Sequence, residues 1–221
     1  MSSKERSFSI WGREKLIDEN FALVREVLRF SHLGEDFLNC YDTPEPFFEY
    51  VHSQSPEMSA LILENKDTWF TFRKLMQFTG KNVIAGLAVD LLIYGEGNKI
   101  TKRGVLEDYA RGMLNMHTGQ TLQFLYFGDL DREGIRLFFR TQQANPGLSI
   151  KPFAPLYLLM LQLAQDREMP VSMDKRDIPV AVEDFAQGLG CNAAEILNLL
   201  NQGFYIPQEI INFQILKDIL T

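Results

Sequence analysis

The chain has 221 residues, 46% of them hydrophobic and 23% charged, which is enough apolar material for a sizeable core and excludes a disordered chain. Its longest apolar runs, such as Pro155 to Leu163, fall far short of the roughly 20 residues of a membrane span, and Met-Ser-Ser-Lys-Glu-Arg leads into no apolar stretch of a secretory signal. The formal charge of −7 repels nucleic acid on average, so contact with a polyanion requires a local basic patch, bound cations or a basic partner. A cytoplasmic location without membrane contact is expected.

Along the chain, Trp11 to about Phe30 reads as one amphipathic helix, with Leu16, Phe21, Leu23, Val24, Val27 and Leu28 near helical spacing. The two prolines of Tyr41-Asp-Thr-Pro-Glu-Pro break that pattern, and residues 10 to about 55 read as mostly helical. Ala60-Leu-Ile-Leu then begins a different rhythm. It is followed by Glu64-Asn-Lys-Asp and a helix from Thr68 to Phe78, with Asp67 as its expected N-cap. Asp90-Leu-Leu-Ile-Tyr is a second run, closed by Gly95-Glu-Gly97, after which Thr101 is placed to cap a helix reaching about Leu114. Leu122 to Phe127 is a third run, ending in Gly128-Asp-Leu-Asp131 before a helix from Arg132 to about Gln142. Ser149-Ile-Lys-Pro-Phe is a candidate fourth strand; beyond Leu156 the pattern is helical, clearest over Ala193 to Leu200 with Gly203 as terminator.

Strand, polar turn and helix, repeated three times, indicate an α/β fold with a parallel sheet and helices on both faces. Continuous apolar runs suit strands buried on both sides. The expected division is an N-terminal helical attachment over residues 1–57, an α/β core over 58–153 and a mostly helical region over 154–221 packed on the core.

The acids fall at informative places. Ligand sites of parallel sheets lie beyond the carboxyl ends of the strands. Glu64 ends the first run, and Asp129 and Asp131 follow the third. In extended backbone, residues two apart point to one side, so Asp129 and Asp131 can converge. Three carboxylates at one sheet edge repel unless a hard cation lies between them, and magnesium takes such oxygen ligands. The competing explanation is local: Asp131 stands where an N-cap is needed, and Glu64 alone is an ordinary solvated strand end. Cys40 and Cys191 read as small apolar residues, and His32, His52 and His117 show no zinc spacing.

The run Gly128-Asp129-Leu130-Asp131-Arg132-Glu133-Gly134-Ile135 resembles the Gly-Asp-x-Asp-x-x-Gly-Ile signature of TOPRIM domains in the topoisomerase VI A-subunit group. Leu63-Glu64-Asn65-Lys66-Asp67-Thr68 is similar to the other half of that signature, and Tyr94-Gly95-Glu96-Gly97-Asn98 to the glycine turn between the halves. The Glu-Asn-Lys-Asp-Thr form, with Ile206-Pro207-Gln208-Glu209, most resembles the TOPRIM nuclease subunits of Wadjet plasmid-defence systems. That resemblance implies a TOPRIM-like core and a metal-dependent endonuclease that cuts double-stranded DNA beside an SMC-type ATPase complex, with a homodimer as a further option. It implies magnesium, with manganese as substitute, at Asp129 and Asp131. Glu64 is either the general base or a further ligand, and Glu209 a candidate additional acid. The family's further N-terminal arm has no room in this chain, which puts docking to the motor complex in question. Residues 1–58 are too short for the winged-helix domain that carries the topoisomerase tyrosine, and Tyr94 and Tyr126 fall in core strands, so hydrolysis is favoured over a tyrosyl intermediate.

Gly95, Gly97, Gly128 and Gly134 read as structural glycines that permit close backbone approach. Lys66, Lys99, Lys102, Arg103, Arg132 and Arg136 start near the expected site and are candidate phosphate contacts, as is Arg140; solvated helix faces account for the same charges. Two other functions compete. One is a TOPRIM-like module that binds DNA or a partner without turnover, favoured by the acidic charge. The other is phosphotransfer on an Asp-x-Asp nucleophile, disfavoured because Arg132-Glu133-Gly134 follows the second Asp where a Thr or Val is usual.

Overall fold

Apolar runs too short for helices become the strands of one buried sheet. The computed structural model describes residues 1–27, 38–41, 43–112, 121–172 and 180–221, and the chain divides into two units, Met1–Glu45 and Pro46–Thr221.

The first unit holds two helices where the apolar spacing suggested one. Helix α1 (Ser3–Trp11) opens on a capping box between Ser2 and Glu5 and closes on Gly12, whose φ of 67° turns its N–H back to the Phe8 carbonyl. Helix α2 (Leu16–Val27) is kinked at Asn20 and buries Ile17 and Val24. Buried Ser7 links them, its hydroxyl donating to the Arg13 carbonyl and accepting the Ile17 N–H. Trp11 therefore ends a helix. Leu28, Phe30 and His32 lie outside the described residues.

In the second unit, strands β1 (Glu49–Val51), β2 (Glu57–Leu63), β5 (Leu91–Tyr94), β6 (Thr121–Phe127) and β7 (Ile150–Pro152) form a sheet of order β1-β5-β2-β6-β7. Only β1 runs antiparallel, against β5. The boundary thus falls at residues 45 and 46 rather than near 57, and the stretch read as helical down to about 55 supplies an edge strand. Three residues are too few to show a period; pairing of Tyr50 with Leu92 makes them a strand. A hairpin of β3 (Val83–Ile84) and β4 (Leu87–Ala88) was not foreseen. Its turn places Ala85 at φ 47° and Gly86 at φ 85°, a conformation for which alanine gives no signal.

Helices α3 (Lys66–Thr79), α4 (Val105–Gly112), α5 (Arg132–Ala144) and α6 (Ala154–Ala164) follow β2, β5, β6 and β7, and α7 (Val182–Leu189), α8 (Ala193–Asn201) and α9 (Phe213–Ile219) complete the unit. The cap of α3 is Asn65, whose side chain accepts the Asp67 N–H at 2.8 Å, so Asp67 lies inside the helix. Thr101 ends a 3-10 turn (Gly97–Thr101) instead of capping α4, and the expected end near Leu114 lies outside the described residues. Among the described residues no helix is long and apolar enough to cross a membrane.

Both faces of the sheet are covered. Tyr126 and Phe127 are consecutive on β6 and point to opposite faces. Tyr126 packs on Phe138 of α5, whereas Phe127 packs on Phe72 of α3 and Tyr157 of α6. Leu61, Ile62, Leu63, Leu92 and Ile93 are accordingly fully buried, each contributing about 1.5–3 kcal/mol relative to an exposed side chain. Helices α3 and α5 lie on opposite faces, and they leave neighbouring strands: β2 leads through α3 to β5 on one side, β6 through α5 to β7 on the other. Strands β2 and β6 are the topological switch point of the sheet.

Asn145, just past α5, ties three elements together. Its side chain accepts the Leu106 N–H of α4 at 2.9 Å and donates to the carbonyls of Ile100 and Thr141. It is buried, so its loss leaves main-chain groups without partners. Asn145→Ala should lower stability by about 2–3 kcal/mol in urea titration, with no change in the slope of the transition.

Candidate metal centre

The switch point places the acids. Parallel pairing of β2 with β6 aligns Leu63 with Phe127, so both strands end level, and the Glu64 N–H continues the ladder to the Phe127 carbonyl at 3.1 Å. Glu64 and Asp129 therefore emerge at the carboxyl ends of adjacent strands, where the chains diverge to opposite faces and leave a crevice. An open cleft of about 400 Å³ lies there, lined by Glu64, Asn65, Lys66, Tyr94, Gly97, Asp129 and Gln208.

Room for Glu64 comes from Gly128. A Cβ on Gly128 would stand 2.1 Å from Glu64 Oε2, closer than any real contact. Alternation puts Gly128 on the same side of its strand as Tyr126, and the Tyr126 hydroxyl donates to Glu64 Oε2 at 2.8 Å. Gly134 serves close packing: its Cβ would lie 2.3 Å from the Asp129 carbonyl oxygen. Gly97 serves conformation instead, with φ 58° and open space around it, while Gly95 is packed between Ile100 and Ile62.

Each carboxylate is held by a protein donor. Asp131 Oδ1 accepts the Gly134 N–H at 2.6 Å, so Asp131 is the N-cap of α5. Asp129 Oδ1 accepts the Gln208 N–H at 2.7 Å. Gln208 reaches the cleft because Leu130 and Ile206 exchange main-chain hydrogen bonds of 2.9 and 3.2 Å, clamping the Gly128–Asp131 loop to the C-terminal segment. The next residue, exposed Glu209, accepts from Asn65 Nδ2 at 2.5 Å. Its negative charge also reaches Asp129. Among the described residues no three His, Cys, Asp or Glu side chains are gathered as a ready ligand set; the donors just named hold the acids around the crevice.

Electrostatics mark Glu64 and Asp129. Burial pushes the Glu64 carboxyl up to about 7; the Tyr126 hydroxyl works against the shift, and the charges of Asp129, Asp131 and Glu133 add to it. Burial likewise raises Asp129 to about 6, against the hydrogen bonds from Gln208 and assisted by Glu209 and Asp131. Among the described residues no lysine or arginine forms an ion pair with either acid. Two half-buried carboxylates, oxygen donors only, thus lie beside further acids without an ion-paired lysine or arginine among the described residues. That donor chemistry fits a hard divalent cation such as magnesium.

No family model matches the chain, and no curated protein matches it.

The basic residues are distributed differently from the expectation. Of the candidate phosphate contacts only Lys66, exposed at the start of α3, lines the cleft. Lys99 is turned away: its ammonium lies 2.9 Å from Glu96 Oε1, donates to the Pro46 carbonyl and stands 4.6 Å over the Phe47 ring. Arg132 donates to Asn201, Arg136 pairs with Glu133 at 2.7 Å, and Arg140 donates to Asn98 and Thr101. Each of these guanidinium groups thus engages a nearby acceptor, although Arg136 Nε is buried without a partner among the described residues. Lys102 and Arg103 are exposed. Three residues not expected as site residues enter the site: Gln208, met in the sequence only within the Ile206–Glu209 resemblance, Tyr126, and Tyr157, whose hydroxyl accepts the Gly128 N–H at 2.9 Å. For Tyr126 the signal was its position two before Gly128; Tyr157, far along the chain on another helix, had none.

Two outcomes follow from this geometry. Gly128→Ala should cost about 1–3 kcal/mol by displacing Glu64, and most of that cost should vanish in a Glu64→Ala background, as a double-mutant cycle in urea would reveal. The raised acids also set the pH dependence. A carboxyl that binds its proton more tightly in the folded protein contributes stability below its unfolded pKa of about 4 and loses it as pH rises through the folded value. In chelator, thermal stability should be highest near pH 4–5 and decline through pH 6 and 7, and Glu64→Gln with Asp129→Asn should flatten that decline.

Proposed function

We propose that this chain is a magnesium-dependent DNA endonuclease working through a TOPRIM-like carboxylate site. One observation carries the reading: Glu64 and Asp129 end adjacent parallel strands at the switch point, with Asp131 two residues on, and Glu64 and Asp129 have raised proton affinities and no ion pair to lysine or arginine among the described residues. A purely structural role does not account for such acids, because uncompensated burial destabilises the fold.

Asp129 and Asp131 would hold the cation, manganese serving as substitute. Bound there, it would supply charge stabilisation to the phosphate and acidify a bound water. Glu64, held by Tyr126, has a proton affinity near neutrality and is suited to accept the proton of the attacking water as a P–O bond of the backbone breaks. Lys66, at the lip of the cleft, is placed to meet a phosphate. The likeness of the Glu64 and Asp129 motifs to those of Wadjet nuclease subunits extends the proposal to defence against plasmids beside an SMC-type complex. A basic partner is in keeping with a chain of charge −7 whose Arg132, Arg136 and Arg140 are engaged internally.

That internal engagement also favours a second reading, a TOPRIM-like module that binds DNA or a partner without cutting. Supercoiled plasmid at low salt with magnesium or manganese separates the two. Glu64→Gln, Asp129→Asn and Asp131→Asn should each lower cutting at least ~100-fold. Asp131→Asn is the informative change at its position, since asparagine still caps α5 and the fold stays intact. No single Tyr→Phe change should stop the reaction at saturating metal. Wild-type protein that binds metal yet leaves plasmid intact, with a DNA-translocating partner present, would favour the binding module.

A further inference from the structure

Gln208 is a residue of the cleft wall whose buried side-chain oxygen has no hydrogen-bond partner among the described residues. It is 1% exposed and opens the 3-10 turn Gln208–Ile210, anchored by buried Ile206, Ile210 and Ile211. Its main-chain N–H donates to Asp129 Oδ1 at 2.7 Å, and its side-chain amide also donates to the Asp129 carboxyl. The side-chain carbonyl is different: Oε1 is buried without a hydrogen-bond partner among the described residues. A neutral acceptor in that state is costly to keep, and a methionine or leucine would fill the same space without that cost, giving up only the amide bond to Asp129. The neighbours sharpen the point. Asp129 and Glu64 line the same cleft, and acceptors cannot satisfy another acceptor. What satisfies oxygen donors that crowd together is a cation or the water bound to one.

We infer that Gln208 Oε1 is a further oxygen donor to the hydrated divalent cation held at Asp129, so that the segment Ile206–Gln208 completes the metal centre from the C-terminal side. The inference rests on the metal-site reading above. The side-chain amide of Gln208 is lost alike in methionine and glutamate, so the contrast between those two replacements reports on the side-chain oxygen. The main-chain N–H of Gln208 orients Asp129 and survives any side-chain change, whereas its side-chain carbonyl is useful only when the cation is bound.

The test measures manganese binding by calorimetry and by loss of the free-ion paramagnetic resonance signal, together with the melting temperature of the metal-free protein, for wild type, Gln208→Met and Gln208→Glu. Gln208→Met should weaken manganese binding about tenfold, the scale of a lost supporting contact at a metal site, and leave it well below that of Gln208→Glu, which loses the same amide but keeps an oxygen. Gln208→Glu should tighten manganese binding and lower the metal-free melting temperature, because a further carboxylate adds repulsion that the cation relieves. Equal manganese affinity in wild type and both variants would overturn the inference and leave the metal site standing. So would a Gln208→Met protein destabilised without metal but unaltered in affinity, which would mark the carbonyl as structural. Wild type that binds neither manganese nor magnesium would remove the metal centre itself, and this inference with it.

Discussion

The parallel pairing of β2 with β6 is the constraint on which the rest of this structure depends. Seven residue pairs, from Glu57 with Thr121 to Leu63 with Phe127, bring two strands to the same level at the same sheet edge. A slip of one residue would turn Tyr126 and Phe127 to the wrong faces and separate Glu64 from Gly128. The register is held from both sides, because Phe127 packs on α3 and α6 while Tyr126 packs on α5. Packing free energy gained across the whole core thus fixes the position of a few oxygen atoms at its edge.

Those oxygens are in an unfavourable setting for a protein by itself. Glu64 and Asp129 are desolvated by the core that positions them, and the neighbouring acids oppose their ionisation. The fold answers with neutral donors: a tyrosine hydroxyl for Glu64, a main-chain N–H for Asp129, the first turn of α5 for Asp131. Each steadies a carboxylate without neutralising it. An ion pair to lysine or arginine would have been more favourable in the resting protein and would have cancelled the charge that attracts a cation. This arrangement, stable enough to fold and still anionic, is the physical basis of the proposed nuclease reading.

The C-terminal segment shows how distant chain joins that edge. Leu130 and Ile206 pair through their backbones, and the turn that follows presents Gln208 to Asp129 and Glu209 to Asn65. The loop after β6 is therefore gripped between its own helix and a segment more than seventy residues later. Basic residues meanwhile pair locally, Arg136 with Glu133 and Lys99 with Glu96, which leaves Lys66 as the candidate phosphate contact that lines the cleft.

How much of this was legible depended on the range of the interaction concerned. The strands from Ala60, Leu91 and Leu122 and the helix from Arg132 declared themselves through apolar runs and turns, since burial on both faces demands such residues whatever the neighbours are. Strand-end position singled out Glu64, Asp129 and Asp131 for the same reason: a parallel sheet opens its crevice at one end. Helix boundaries at Gly12 and Asn65 were misread because a single left-handed glycine or a two-residue side-chain turn outweighs periodicity locally. Strand β1, three residues long, exists only because β5 pairs with it. Tyr126 was marked only by its place two before Gly128 and Gln208 only by the resemblance at Ile206–Glu209; the contacts that bring Tyr126, Tyr157 and Gln208 to the site were decided by tertiary structure. Their hydrogen bonds to Glu64, Gly128 and Asp129 span 62, 29 and 79 residues, and contacts of that range leave no local period or spacing in the sequence from which to be read.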